Sequence, residues 1–142
     1  MKWIQADLRS WSDVAGLLPL GPFDILLDKG TSDAIATSPS MTLSTSSDKI
    51  SLCPTIKEIV GENGELTLSP VEALALHLAP LTQKGATWIV LSYSSTRFDS
   101  LKYAGRYWDI VSRTPMTAPK GATITAAHTA DVFHWVYVLR RK

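Results

Sequence analysis

The sequence contains a single cysteine, Cys53, among its 142 residues. One thiol cannot form an internal disulfide, which fits a protein of a reducing compartment. No apolar run approaches the roughly 20 residues that a membrane-spanning helix needs. Asp7 and Arg9 stand where a signal peptide would have its apolar stretch. We therefore expect an intracellular, cytoplasmic protein that does not bind membranes.

An excess of charge of either sign is also lacking. Lys and Arg number 14 and Asp and Glu 13, so the net charge is +1. Nucleic-acid binding usually requires a clustered basic face, so no nucleic-acid partner is expected. His77, His128 and His134 lie far from Cys53 in the sequence and have no metal-ligand spacing. No metal is expected either.

What the sequence does contain is a regular alternation of strand-like and helix-like segments. Hydrophobic residues make up 45% and charged residues 19%, which is typical of a globular domain. Alternating elements of this kind predict an α/β layered sheet. The predicted strands are 2–8, 23–27, 87–93, 107–111 and 132–139. The predicted helical segments are 10–18, 32–36, 69–81 and 95–104.

Ser69 marks the clearest helix start. Ser69, Pro70 and Glu72 stand at the N-cap, N1 and N3 positions, where these residue types stabilise a first helical turn. The helix that follows is expected to run to about Leu81, with Pro80 bending or ending it and Lys84 and Gly85 as terminators. Residues 37–65 begin with a Ser/Thr-rich stretch and predict a surface loop or insertion within a single domain spanning 1–142.

Residues 23–35, FDILLDKGTSDAI, resemble a known signature. It is the FDvvlDKGTlDAl motif of a eukaryotic group of class I S-adenosylmethionine-dependent methyltransferases, which includes lysine methyltransferases acting on translation elongation factors. Ser32 stands where that group usually has leucine or tyrosine. Residues 69–94 are similar to the helix, glycine turn and fifth strand of the same fold, and 134–141 to its final strand.

This resemblance implies the carboxyl-terminal part of a Rossmann-like methyltransferase sheet, comprising strands three to seven. The full strand order would be 3-2-1-4-5-7-6, with residues 2–8 as strand three and 23–27 as strand four. The last two strands would form an antiparallel hairpin. Residues 25–27 are apolar on both faces, as in a central parallel strand.

The resemblance also implies S-adenosylmethionine as the cofactor. Asp7 would bind the adenine amino group, Leu8 would pack nearby, and Asp28 would face the methyl-donor pocket or the substrate. Without the resemblance, Asp7 is an acid capping the following turn, and Asp28 is a turn residue that binds its own backbone before Gly30. Catalytic residues stay unknown, because methyl transfer depends on positioning and needs no covalent protein intermediate. The methyl acceptor, protein or small molecule, is not identified.

The Gly-rich loop of the family is absent. In those enzymes the loop after strand one and an acid after strand two grip the cofactor. This sequence contains no GxGxG, so we expect the chain alone to bind S-adenosylmethionine weakly or not at all. Two functions stay open: a methyltransferase completed by other residues, and a non-catalytic remnant or protein-interaction module.

The absence of strands one and two has a structural consequence as well. It would place residues 23–27 on an exposed sheet edge, which invites strand pairing. That edge would then pair with residues 2–8, be covered by residues 37–65, or join a second copy of the chain.

Overall fold

A computed structural model describes residues 2–44, 52–117 and 133–142. Within these ranges the helices are α1 (Trp11–Ala15), α2 (Thr31–Ile35), α3 (Pro54–Asn63) and α4 (Pro70–Leu78). The strands are β1 (Phe23–Lys29), β2 (Met41–Ser44), β3 (Glu65–Leu68), β4 (Thr82–Ser92), β5 (Trp108–Thr117) and β6 (Phe133–Arg141). The predicted α/β class is confirmed.

The main sheet is mixed and open, with the strand order β1-β4-β6-β5. β1 runs parallel to β4, whereas β6 is antiparallel to both β4 and β5. The predicted antiparallel pairing of the last two strands is therefore confirmed. A separate two-stranded antiparallel sheet joins β2 to β3. β1 lies at one edge of the main sheet, as expected for residues 23–27.

The core lies on one face of the main sheet. Along β4, Trp88 and Val90 are buried, whereas Ile89 and Leu91 on the opposite face are only partly buried. Residues 71–78 of α4 are all buried, and the apolar ones among them belong to the same cluster as Trp88 and Val90. The rings of Phe98 and Trp108 pack edge to face with the Trp88 ring, with centroids at 5.2 and 5.5 Å. The sheet is thus covered well on the face towards α4.

The start of α4 confirms the sequence prediction, and its end confirms the expected break at Pro80 but not the terminator at Gly85. The Ser69 hydroxyl accepts a hydrogen bond from the Glu72 amide at 3.2 Å, and Pro70 is the first helical residue. The helix ends at Leu78 and passes into a short 3₁₀ turn, 79–81. Gly85, which was predicted to terminate the helix, lies inside β4 instead. Pro80 supplies the physical reason, since proline cannot continue an α-helix.

Residues 2–8 form no strand, so the predicted strand three is wrong. Trp3 is 83% exposed, and β1 pairs only with β4 among the described residues. The expected pairing of residues 2–8 with β1 is wrong for the same reason. The apolar residues Trp3 and Ile4 find no sheet neighbour there, and a short apolar stretch does not form a strand without one.

Two further predictions were wrong in their detail. Residues 95–104 contain a series of turns where a helix was predicted. The segment 37–65, predicted as a loop or insertion, contains β2 and α3. Residues 45–51 of that segment lie outside the described residues, as does Val132 at the start of the last predicted strand.

Candidate functional site

The turn after β1 holds the DKGT residues in a tight arrangement. The Asp28 carboxylate accepts hydrogen bonds from the Thr31 amide at 2.6 Å and from the Ser32 amide at 3.1 Å. Gly30 takes a left-handed conformation, φ 81°, which lets the chain reverse from β1 into α2 with little strain. Asp28 is buried, and its carboxylate accepts from N–H groups at the start of α2 that have no partner within the helix.

Ser32, the residue that departs from the resembling signature, is completely buried. Its hydroxyl has no hydrogen-bond partner among the described residues. A buried hydroxyl without a partner costs free energy, because water would otherwise solvate it. An apolar side chain at this position would carry no such cost.

Asp33 connects α2 to the carboxyl end of β4. Its carboxylate accepts hydrogen bonds from the Ser92 hydroxyl at 2.6 Å and from the Tyr93 amide at 2.9 Å. Arg97 adds an ion pair through Nη2 at 2.7 Å and a hydrogen bond through Nε at 2.9 Å. Burial alone would raise the pKa of Asp33, but these donors outweigh it and hold the pKa below its ordinary value.

The Asp33 cluster is unsuited to nucleophilic catalysis. Ser92 donates its proton to a carboxylate whose charge Arg97 already compensates. A serine nucleophile needs a base that can take up its proton, which is usually a histidine. No imidazole accepts from Ser92 among the described residues. The cluster is therefore a positioning device that fixes the carboxyl ends of β1 and β4 against each other.

An apolar cleft of about 210 Å³ opens beside β1. Asp28 and Thr31 are its polar lining residues. The remaining walls are apolar: Leu8, Leu17, Phe23, Leu26, Leu27, Leu74, Leu78, Leu81 and Trp88. Cavities that hold drug-sized ligands usually measure about 300–1,000 Å³. This cleft is smaller, and both oxygens of its carboxylate already accept bonds from α2.

These residues do not fit a whole S-adenosylmethionine molecule. The apolar walls could contact an adenine ring, but the methionine carboxylate and ammonium groups would find no free charged partner in the lining. Buried charges without partners are costly. The ribose hydroxyls would likewise compete with α2 for Asp28. The cleft can thus form part of a cofactor pocket and not the whole of one.

The three residues that the resemblance singles out are not all brought together. Leu8 and Asp28 line the same cleft, although 20 residues separate them in the sequence. Asp7 is exposed and binds Arg9 with its carboxylate, at 2.8 Å to Nη2. The hydrogen bonds from Arg9 lower the pKa of Asp7 to about 2. Asp7 does not line the cleft.

His77 fixes Leu8 in place. The imidazole Nδ1 donates to the Leu8 carbonyl oxygen at 2.9 Å. Burial lowers the pKa of His77, and the bond to Leu8 opposes this only in part. A neutral His77 at the end of α4 therefore ties the extended amino-terminal segment to the core.

A second, smaller cleft of about 110 Å³ lies at the carboxyl ends of β1 and β4. Its lining residues are Lys29, Gly30, Leu91, Ser92, Tyr93 and His134. The rings of Tyr93 and His134 meet edge to face with centroids 4.6 Å apart. Ligands of open α/β sheets bind at this edge of the strands. The smaller cleft occupies that position, and the larger cleft reaches it through Asp28 and Thr31.

Sequence reasoning missed the Asp33 cluster. Arg97 lies 64 residues after Asp33, so local spacing does not connect the two. The available signal was positional, since polar residues that follow two parallel strands meet at one sheet edge. Ser92 and Arg97 both follow the apolar part of β4 closely enough to have been included.

Comparison with known proteins finds no matching family model, no matching curated protein and no matching solved structure. The functional argument therefore depends on the residues and their geometry. Within the described ranges, no group of three His, Cys, Asp or Glu could hold a metal ion, and no helix could cross a membrane. His128 lies outside the described residues.

Proposed function

We propose that this chain is the carboxyl-terminal part of a class I S-adenosylmethionine-dependent methyltransferase-like domain, and that it transfers no methyl group by itself. The strand order carries the proposal. The order β1-β4-β6-β5, with β1 parallel and β6 antiparallel to β4, corresponds to strands four, five, seven and six of the order 3-2-1-4-5-7-6. The resemblance of the DKGT turn to the methyltransferase signature assigns β1 to strand four.

The position of Asp28 supports the same proposal. It stands at the carboxyl end of β1, beside the edge at which strand one would pair, and lines the apolar cleft. A pocket between strands one and four would place Asp28 against a bound cofactor or substrate. Its bonds to α2 then serve to orient the carboxylate, in addition to capping the helix.

The cofactor would supply the reactive methyl group. The protein's part in such a reaction is to hold the acceptor in line with the methyl-donating sulfur and to exclude water. On this proposal, the described residues contribute one wall of the pocket and the substrate edge of the sheet. The Gly-rich loop and the ribose-binding acid would come from other residues.

A fusion experiment tests the proposal. The first two strands and helices of a methyltransferase from the resembling group are joined before Met1, and S-adenosylmethionine binding is measured by titration calorimetry. We expect the fusion to bind and the unfused chain to bind at least about a hundredfold more weakly, a difference of about 2.7 kcal/mol. Tight stoichiometric binding by the unfused chain, or a folded fusion that binds nothing, would contradict the proposal.

Asp28→Asn in the fusion tests the role of the carboxylate. Asparagine still caps a helix, so α2 should stay folded while the negative charge is lost. We expect weaker cofactor binding or slower methyl transfer, with a loss of at most about 1–2 kcal/mol in the free energy of unfolding, because asparagine keeps one of the two acceptor oxygens. Asp24→Asn is the matched control, because Asp24 lies on the same strand, is exposed and does not line the cleft.

A further inference from the structure

The outer side of β1 is an open sheet edge. β1 is the terminal strand of the order β1-β4-β6-β5, and within the described residues it pairs with β4 alone. An edge strand presents a row of unpaired backbone N–H and C=O groups. Proteins usually protect such edges with proline, bulges or free charges, or cover them with another segment.

The side chains of β1 give the edge little protection. Ile25 is 60% exposed and Leu27 is 78% exposed. The two acids are already engaged, because Asp24 accepts a hydrogen bond from Gln83 and Asp28 caps α2. Apart from the exposed Lys29 at its end, the edge therefore offers an apolar strand with few free charges to keep another strand away.

The apolar surface continues across the sheet. The register pairs Leu27 with Ile89, and Ile89 with Val138, so these side chains share the face opposite the core. Leu91 and Val136 occupy the next row of the same face. All four residues of β4 and β6 are only partly buried. A partner strand beside β1 would extend this partly exposed apolar face.

We propose that β1 pairs antiparallel with β1 of a second copy of this chain, with the two-fold axis passing through Leu27. The net charge of +1 means that two copies repel each other little. It also gives no attraction towards a strongly charged partner. The two sheets would join into one continuous sheet of eight strands.

The charges of β1 exclude one neighbouring register and permit this one. An axis through Leu26 would place Asp24 of one copy opposite Asp28 of the other, and like charges directly opposite destabilise a strand pair. An axis through Leu27 removes that opposition. Leu27 of one copy then lies opposite Leu27 of the other. Ile25 of each copy lies opposite the aliphatic stem of Lys29 of the other copy.

This inference goes beyond the proposed function and does not depend on it. It concerns the same edge, however. On the proposed function β1 is strand four, and strand one of a methyltransferase sheet would pair with this edge of it. A second copy and an added amino-terminal half therefore exclude each other on β1. The fusion described above should be monomeric if it binds cofactor, whereas the chain itself should dimerise whether or not the fusion works.

Cysteine cross-linking tests the register. In the proposed pair the two Leu27 Cα atoms lie about 4.5–5.5 Å apart, which a disulfide can span. The two Ile25 Cα atoms lie about 14 Å apart along the strands and cannot be bridged. Leu27→Cys should therefore form a covalent dimer under a mild oxidant, and the matched control Ile25→Cys should not. The native Cys53 is completely buried and should not interfere.

Sedimentation equilibrium supplies the second measurement. The native chain should dimerise reversibly, and Leu27→Lys should raise the dimer dissociation constant at least about tenfold. Val111→Lys, an equally apolar exposed position on β5, is the control and should leave it unchanged. A native chain that is monomeric at all concentrations would overturn the inference. So would cross-linking at Ile25→Cys without Leu27→Cys, or a dimer weakened only by Val111→Lys.

Discussion

The Arg97 guanidinium lies 2.7 Å from the Asp33 carboxylate, and both side chains are mostly buried, with 20% and 14% of their surfaces exposed. The pair joins α2, which follows β1, to the segment that follows β4. Ser92 and Tyr93 donate to the same carboxylate. One acid therefore holds together the carboxyl ends of the two parallel strands, where the smaller cleft opens and the larger cleft reaches Asp28 and Thr31.

Asp33→Asn should destabilise the fold by about 1.5–3 kcal/mol, because it removes the charge that three donors share. Urea unfolding at neutral pH measures the effect. Asp99→Asn is the control, since Asp99 and Arg113 form an ion pair at 3.1 Å that is about half exposed. That change should cost about 0–1 kcal/mol. Equal costs for the two substitutions would contradict a special role for Asp33.

The sequence was sufficient to predict the elements whose stability is local or whose apolar pattern is strong. The cap at Ser69 and the apolar run of β4 are examples, and both occur where predicted. Residues 95–104 were predicted wrongly because distant groups hold them as turns. The Tyr137 hydroxyl donates to the Ser94 carbonyl at 2.8 Å and accepts from the Arg97 amide at 3.2 Å. Local spacing contains no information about such contacts.

The candidate site was predictable only in part. Asp28 could be placed at the sheet edge, because it follows a strand directly and begins a recognisable turn. The meeting of Leu8 with Asp28 depends on how the amino-terminal segment packs, and the bond from His77 to the Leu8 carbonyl determines this. Asp33 and Arg97 come together only through the parallel pairing of β1 with β4.

Ser32→Ala should leave the fold equally stable or stabilise it by up to about 1 kcal/mol, because the substitution removes a buried hydroxyl that has no partner. Alanine also favours a helix more than serine does. Thermal or urea unfolding provides the measurement. Ser92→Ala is the matched control and should cost about 1–2 kcal/mol, since the Ser92 hydroxyl donates to Asp33. A clear loss of stability in Ser32→Ala would show that this hydroxyl has a partner.

His77 should make stability depend on pH in the weakly acidic range. Its pKa in the folded protein is below the ordinary 6.5, so the unfolded chain binds the proton more readily. The stabilisation is complete above about pH 6.5 and is lost as the pH falls towards the folded pKa, by at most about 1.4 kcal/mol per pH unit. His77→Gln keeps a donor for Leu8 but does not titrate. Urea unfolding from pH 7 to about pH 5 should show a shallower decline for this variant, and an unchanged slope would exclude His77 as the cause.

Glu72 is a buried acid whose contacts hold the end of the segment 95–104 in place. It stands at the third position of α4, and its carboxylate accepts hydrogen bonds from the Tyr103 amide and, at 3.2 Å, from the Ala104 amide. A capping box would have directed it back to Ser69. Instead the carboxylate satisfies two backbone donors at the start of the short 3₁₀ turn 104–106, and so attaches that segment to the core.

Glu72→Leu should therefore destabilise the protein by about 2–4 kcal/mol, because two N–H groups lose their acceptor in a buried position. Hydrogen exchange at the Tyr103 and Ala104 amides should become faster, while exchange at Trp88 in β4 stays slow until the whole fold opens. Glu72→Gln retains one carbonyl acceptor, so it should preserve much of the protection. Glu65→Leu, at an exposed position of β3, should leave exchange at Tyr103 unchanged. If hydrogen exchange at both amides were slower or unchanged in Glu72→Leu, the Glu72 carboxylate could not be the group that holds this segment.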